Sequence, residues 1–475
     1  MATLTTQNLT FTYVENPVDG VVPATTPTLA DVNLTLAPGS FNLLSGPSGS
    51  GKSTLLKTLA GLYPEYGGNV SGKILVDEHP LDEYATVDRV QKIGLLFQNP
   101  SEQFAMKTPF NELVFTLENL QVEPSEIKAR ALAALEFVGI TDLQDRQLAT
   151  LSGGEAQKVA LAIVFVMQSD IILLDEPFAS VDPEARLALL AKLKALQLAG
   201  RTILVADHDL EGYADLVTTV YQINSTNIQQ LNDASALFAQ YQPTTHDFAL
   251  PMGEIVMHLD QVSFGTNDQV LFSDVDLEIP AKKMTLITGP NGVGKSTFFM
   301  ALTRLHKYQG SISYLDQNIS KIKLPIYARE VALVFQNAET QYLKMTVTEE
   351  LALSKKYSQF ADYWTDAQID SVLADLNLLE LKYQVVYRLS GGQKKKLQIL
   401  SMLILGTPVL LFDEPLAGLD LASVKVVMEL LKATSLRQEQ TILMISHQLN
   451  GVLAYFDHHL VFHDKQLTFE GTVIA

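Results

Sequence analysis

Two stretches of this chain have the residue types and spacing of a phosphate cradle. Gly46, Pro47, Ser48, Gly49, Ser50, Gly51, Lys52, Ser53 and Thr54 follow the pattern G-x-x-x-x-G-K-[ST]. Gly289, Pro290, Asn291, Gly292, Val293, Gly294, Lys295, Ser296 and Thr297 follow it again. Each comes after an apolar run (41–44 and 284–287) and before a helix-like segment (55–62 and 298–305), the context that gives the pattern its physical meaning. The glycines let the backbone curl so that its N–H groups point at a polyphosphate. The helix start adds partial positive charge. Lys52 and Lys295 are placed to reach β- and γ-phosphates, and Ser53 and Ser296 to hold Mg²⁺. Chance yields one such match in a long chain now and then, but not two in the same strand-like context.

Further residues repeat with these loops. The runs 171–174 and 409–412 end in Asp175-Glu176 and Asp413-Glu414. This puts two carboxylates at the end of a buried strand, where open parallel sheets bind ligands. Asp175 and Asp413 suit Mg²⁺, and Glu176 and Glu414 suit general bases that polarise a water against a γ-phosphate. Ser152, Gly153 and Gly154, and again Ser390, Gly391 and Gly392, offer a hydroxyl and free N–H groups at a helix start, a second anion site. Gln98 and Gln336 each end an apolar run, and their amide oxygens suit Mg²⁺ or the attacking water. His208 and His447 follow buried strands, 32 and 33 residues after their glutamates, and suit contact with the γ-phosphate.

The elements that position these residues also come twice. Gln98 and Ser152 are 54 apart, as are Gln336 and Ser390; Ser152 and Asp175 are 23 apart, as are Ser390 and Asp413. Equal spacing over so long a stretch means a duplicated domain. Apolar strands alternating with helical segments predict an α/β fold with a parallel, covered sheet in each copy. Around 241–253 periodicity lapses, so the expected division is a first domain 1–240, a linker 241–253 and a second domain 254–475.

Composition bounds the possibilities. With 47% hydrophobic and 18% charged residues the 475-residue chain is globular. A net charge of −19 argues against a binder of nucleic-acid backbone. There are no cysteines, which rules out disulfides and thiolate metal sites. No secretory signal is visible at the N-terminus. The apolar stretch 397–412 is broken by Gln398, Ser401 and Gly406-Thr407-Pro408, and reads as buried helix, turn and buried strand instead of a membrane span. Any membrane role then needs a partner.

Phosphate loop, glutamine, Leu-Ser-Gly-Gly, Asp-Glu and histidine, in this order and twice, resemble a tandem ATP-binding-cassette (ABC) ATPase over nearly the whole chain. The resemblance implies two P-loop domains, each with a mostly parallel covered sheet, an antiparallel β part and a helical subdomain. It also implies ATP and Mg²⁺ as cofactors. In that family two cassettes stack head to tail, each ATP lying between one cassette's phosphate loop and the other's Leu-Ser-Gly-Gly. Carried over, one site joins Lys52, Gln98, Asp175, Glu176 and His208 to Ser390, Gly391 and Gly392. The other joins Lys295, Gln336, Asp413, Glu414 and His447 to Ser152, Gly153 and Gly154. Asp182 and Asp420 match the family's loop that crosses between the sites. With both glutamates present, two hydrolytic sites are expected. Tyr13 matches the aromatic on which adenine stacks; Thr266 takes that place in the second copy. The loop at 15–28 has no counterpart there and reads as a surface insertion.

Phe97-Gln98-Asn99-Pro100-Ser101-Glu102-Gln103 and Phe335-Gln336-Asn337-Ala338-Glu339-Thr340-Gln341 resemble the F-Q-N-P-x-x-Q segment of energy-coupling factor importers, with Ala338 where proline is usual. These take up vitamins and transition-metal ions. Their ATPases lie at the cytoplasmic face of the membrane, bound to an integral membrane scaffold subunit that carries a small substrate-capturing membrane subunit. The contrasting reading is a soluble tandem cassette acting on the ribosome or in DNA maintenance. The short, mildly polar join and the lack of a coiled-coil insertion weigh against it. Asp457-His458-His459 lies in a strand-and-turn context and reads as structural, as does Trp364. Lys394, Lys395 and Lys396 read as a solvated or inter-cassette face.

Overall fold

The computed structural model describes residues 2–13, 26–47, 49–178, 181–224, 226–241, 245–265 and 270–474. Contacts divide the chain into two compact units, Met1–Gln242 and Pro243–Ala475. In the first, the strands Phe41–Ser45, Ile93–Leu96, Ile171–Asp175 and Thr202–Ala206 are buried at every position. They are mostly apolar because both faces of their sheet are covered, with Asn42, Ser45, Asp175 and Thr202 as buried polar exceptions. Leu43, Leu96, Leu174 and Val205 turn to one apolar cluster, and their neighbours Leu44, Leu95, Leu173 and Leu204 to the other.

The sheet runs in the order 93–96, 171–175, 202–206, 41–45, 219–224, 227–231, parallel except for the last hairpin. The strand leading into the phosphate loop is therefore interior. The carboxyl ends that carry Gln98, Asp175, Glu176 and His208 open on the same edge. A separate antiparallel sheet is built on Leu4–Thr12, flanked by Leu29–Val32 and Asn69–Val76. Helices Pro109–Asn119 and Pro124–Val138 pack with Gly153–Met167 as the helical part.

The second unit repeats this plan. Its sheet order is 331–334, 409–413, 441–445, 284–288, 458–463, 466–469. The antiparallel sheet is built on Ile255–Gly265, flanked by Val270–Pro280 and Gln309–Tyr314. The helical part comprises Val347–Lys356, Asp366–Asp375 and Gly391–Leu405. The apolar stretch 397–412 is the end of helix Gly391–Leu405, a left-handed Gly406 (φ 76°) and the buried strand Val409–Asp413. Among the described residues no helix is long and apolar enough to cross a membrane. Trp364 is fully buried in the second unit's core.

The join has structure of its own. Tyr241 donates its hydroxyl to the His208 carbonyl at 2.6 Å. Thr245–Asp247 pairs with Thr472–Ile474, and Phe248 enters the second core. Most of the 15–28 insertion, with Ser48, Ala179, Ser180 and Thr266, lies outside the described residues.

Candidate active sites

The two phosphate loops share one geometry. Gly51 (φ 97°) and Gly294 (φ 109°) take the left-handed backbone that starts helices Lys52–Leu59 and Lys295–Leu302. At Gly46 a Cβ would meet Ile223 Cγ2 at 2.3 Å, and at Gly289 the Phe462 carbonyl at 2.6 Å. Neighbouring strands thus press on both loops and exclude a side chain there. Lys52 Nζ donates to the carbonyls of Gly46 (2.7 Å) and Pro47 (3.0 Å). Lys295 Nζ does the same with Gly289 (2.7 Å) and Pro290 (2.8 Å). Both lysines are buried against their loops.

Beside each loop stand the Asp-Glu pairs, all four carboxyls buried. Burial, then the adjacent Glu176 carboxylate, pushes Asp175 up to about 7, opposed by the Ser53 hydroxyl and Lys52. Asp175 Oδ1 meets no hydrogen-bond partner among the described residues. A buried carboxyl with one oxygen lacking a donor, beside a serine hydroxyl, suits a hard divalent cation. Asp413 is likewise raised by burial, with Ser296 opposing.

The two glutamates are held differently. Gln98 Nε2 donates to Glu176 Oε2 at 2.9 Å, and His208 Nδ1 lies 3.4 Å from Glu176 Oε1. Burial favours a neutral His208, but Glu176 overrides it, with Asp207 and Asp209 behind, and holds the imidazole at about 9. Burial likewise opposes charge on Glu176, yet His208, Lys52 and Gln98 bring it below its usual range. The first site therefore contains an ion pair. In the second, burial pushes Glu414 up to about 7. His447 Nε2 contacts Asn291 Oδ1 (2.9 Å) and Lys295 Nζ (3.3 Å), reaching the phosphate loop, and lies 3.5 Å from Glu414 Oε1. No hydrogen bond joins Gln336 to Glu414 among the described residues, unlike Gln98 and Glu176.

Ser152 and Ser390 cap helices Gly153–Met167 and Gly391–Leu405 through capping boxes with Glu155 and Gln393. Both serines are exposed, as is Gly391, while Gly154 and Gly392 are buried. The hydrogen bonds of Ser152 and Ser390 stay in the first turn of their own helices. Asp182 and Asp420 also cap helices, accepting from Ala185 N (2.9 Å) and Ser423 N (2.7 Å). Tyr13 is 45% exposed, stands edge-on to Phe11, and shares a 2.8 Å hydrogen bond with Thr54 Oγ1. It thus offers a ring face beside the loop.

The structure shows why the F-Q-N-P-x-x-Q spacing matters. Gln103 accepts from Phe97 N (3.0 Å) and donates to the Leu95 carbonyl (3.0 Å). Gln341 accepts from Phe335 N (3.3 Å) and Gln398 (2.8 Å). Asn99 and Asn337 cap the intervening turn. The last glutamine therefore fixes the loop that carries Gln98 or Gln336.

Several contributors escaped the sequence reading. Buried Glu112 accepts from Ala105 N and Met106 N (2.9 and 2.7 Å), and buried Glu350 from Leu343 N and Lys344 N (3.0 and 2.8 Å). Their equal offset from Gln103 and Gln341 was the available signal. Tyr63 packs on Phe11 with ring centroids 4.5 Å apart; it lies 11 residues after Lys52, as His306 lies 11 after Lys295. The lysine triplet is corrected. Lys394 pairs with Glu339 at 2.5 Å, Lys395 donates to the Glu414 carbonyl, and buried Lys396 donates to the Leu376 carbonyl at 3.0 Å. Each ammonium satisfies a group of its own unit, so the triplet is no solvated face.

Comparison with known proteins identifies the family. The family model described as ABC transporter matches residues 29–179 and 272–417. A Bacillus subtilis (strain 168) protein named "Putative HMP/thiamine import ATP-binding protein YkoD" is 33% identical over 513 residues, 99% of this chain and 91% of that one. A Treponema denticola "Putative ABC transporter ATP-binding protein" is 28% identical over 475 residues, 94% and 93% of the two chains. The solved structure titled "RNase-L Inhibitor" superposes with TM-score 0.62 at 20% identity, covering 97% and 90% of the chains; at that identity the likeness concerns the fold. With two matched cassettes filling most of its length, this chain belongs to the ABC transporter ATP-binding family.

Proposed function

We propose that this chain is the ATP-hydrolysing subunit of an importer for a small solute of the vitamin or transition-metal class. It would work at the cytoplasmic face of the membrane with an integral scaffold subunit and a small substrate-capturing subunit of the energy-coupling factor type. The observation that carries the reading is the pair of full residue sets, one per cassette, in a chain alike end to end to a protein named for HMP/thiamine import. Within the vitamin class that name favours a thiamine-type solute. The reading makes each ATP site composite, the phosphate loop of one cassette facing the Ser-Gly-Gly of the other. Lys52 and Lys295 bind the phosphates, and Glu176 and Glu414 accept the proton of the attacking water. Ser53, Gln98 and Asp175, and Ser296, Gln336 and Asp413, would hold Mg²⁺, which neutralises phosphate charge when bound. Covalent linkage makes closure intramolecular, at an effective concentration of roughly millimolar.

The second cassette has a surface suited to a membrane subunit. Its loop exposes Leu343 (77%) and Met345 (59%), where the matching positions of the first cassette are Ala105 and Lys107. Exposed Tyr383 and Tyr387 flank Val386, whose N–H donates to the Met345 carbonyl at 2.8 Å. An apolar patch beside the Gln336 loop fits a docking helix. The test is affinity purification from detergent-solubilised membranes with identification of co-purified subunits. Integral membrane proteins and ATP-dependent uptake of the solute are expected. Co-sedimentation with ribosomes and no membrane partner would overturn the reading.

A further inference from the structure

Glu176 and Glu414 share a backbone peculiarity. Their φ angles are 46° and 48°, the left-handed region that is strained for a non-glycine residue. Such a conformation persists only where the surroundings over-determine it. On one side the next strand does this: Glu176 N donates to the Ala206 carbonyl (2.8 Å) and Glu414 N to the Ile445 carbonyl (3.1 Å). On the other side, each glutamate carbonyl accepts from a side chain on the helix that follows Ser-Gly-Gly. In the first cassette Gln157 Nε2 donates to the Glu176 carbonyl at 3.3 Å, and Gln157 is buried. In the second, Lys395 Nζ donates to the Glu414 carbonyl. The two residues hold the same place, each five after its serine.

We infer that Gln157 and Lys395 are positioning residues, each a side-chain donor that clamps the peptide of the neighbouring glutamate and so aims its carboxylate. The inference deepens the ATPase reading and rests on it. Geometry carries it: the same carbonyl is held by the same helix position in both cassettes, although the side chains differ in charge and length. The lysine shows that the donor, not the amide, is what the position supplies. An ammonium on a carbonyl beside Glu414 and Asp413 is poorly placed for core packing alone. Lys395 is partly buried, and desolvation lowers it to about 8 against the pull of those carboxylates. A methionine of similar shape would avoid that cost.

The test is steady-state MgATP turnover by the full-length chain, with kcat and KM separated and melting followed for every variant. Lys395→Met removes the donor at similar volume. It is expected to lower kcat at least fivefold, with KM and melting temperature unchanged or the latter raised. Lys395→Gln installs the first cassette's donor and is expected to restore at least half of wild-type kcat. Gln157→Leu and Gln157→Lys make the same pair in the other cassette, and decide the matter should Lys395→Met fail to fold. Wild-type kcat in both donor-less variants would overturn the inference, as would donor-restored variants as slow as the donor-less ones. A wild-type chain that binds MgATP without hydrolysing it would instead sink the ATPase reading.

Discussion

Replacing Glu176 by Gln tests the first site's electrostatics and its chemistry together. His208 lies 3.4 Å from Glu176 Oε1 and is held at about 9 against a usual 6.5. That difference corresponds to about 3 kcal/mol favouring the imidazolium, net of its burial. In Glu176→Gln the nearest charge is gone while burial remains; Asp207 and Asp209 still face the ring. The His208 midpoint is expected to fall by about one pH unit or more, read by imidazole ¹⁵N resonances across a pH series. The sign for stability follows. His208's raised value contributes fully below 6.5 and is lost as pH rises through about 9. Glu176's depressed value contributes above 4.5 and is lost as pH falls through its lowered folded value. The melting-temperature gap between wild type and Glu176→Gln is therefore widest between about pH 4.5 and 6.5 and fades above about 9. In the double variant Glu176→Gln, Glu414→Gln, turnover is expected to fall about 10²-fold or more with MgATP binding kept. A His208 midpoint that stays near 9 without Glu176, or full turnover by the double variant, would refute the reasoning.

Other outcomes follow from the same contacts. Tyr13→Ala should weaken ATP binding at the first site about tenfold, the scale of one base–aromatic stack, measured by calorimetry with the second site blocked by Lys295→Ala. Glu350→Ala frees two N–H groups of the Leu343 loop and should cost about 2 kcal/mol, seen in denaturant melts of the full chain. Leu343→Glu with Met345→Lys should lower recovery of membrane subunits at least tenfold in the affinity purification, with the melting temperature unchanged.

Much of the site was legible because its chemistry depends on fixed offsets along the chain. A phosphate loop must pass from strand to helix within a few residues, so the loops at 46–54 and 289–297 declare themselves. The Asp-Glu pairs end strands whose apolar runs mark them as doubly covered, and the sheet puts them at the expected edge. Duplication exposed Gln98, Gln336, His208 and His447, which alone would have passed as surface residues. What stayed hidden acts through backbone atoms. Glu112, Glu350, Gln157 and Lys395 hold carbonyls and N–H groups, and only their repeated offsets in the two copies, not their residue types, mark such partners. The lysine triplet misled for the same reason: a charge run normally faces water, but each of these ammoniums meets an acceptor of its own unit. Within the join, the strand at 245–247 stayed hidden because it pairs with residues more than two hundred positions away, beyond any local periodicity.

Under the proposed function, each ATP is shared between the two halves of the chain. This sharing is tested most directly by solving the Glu176→Gln, Glu414→Gln protein with MgATP bound. Two nucleotides are expected, one touching Lys52 and Ser390, the other Lys295 and Ser152. Two triphosphates each contacted by a single cassette, in a closed molecule, would contradict it.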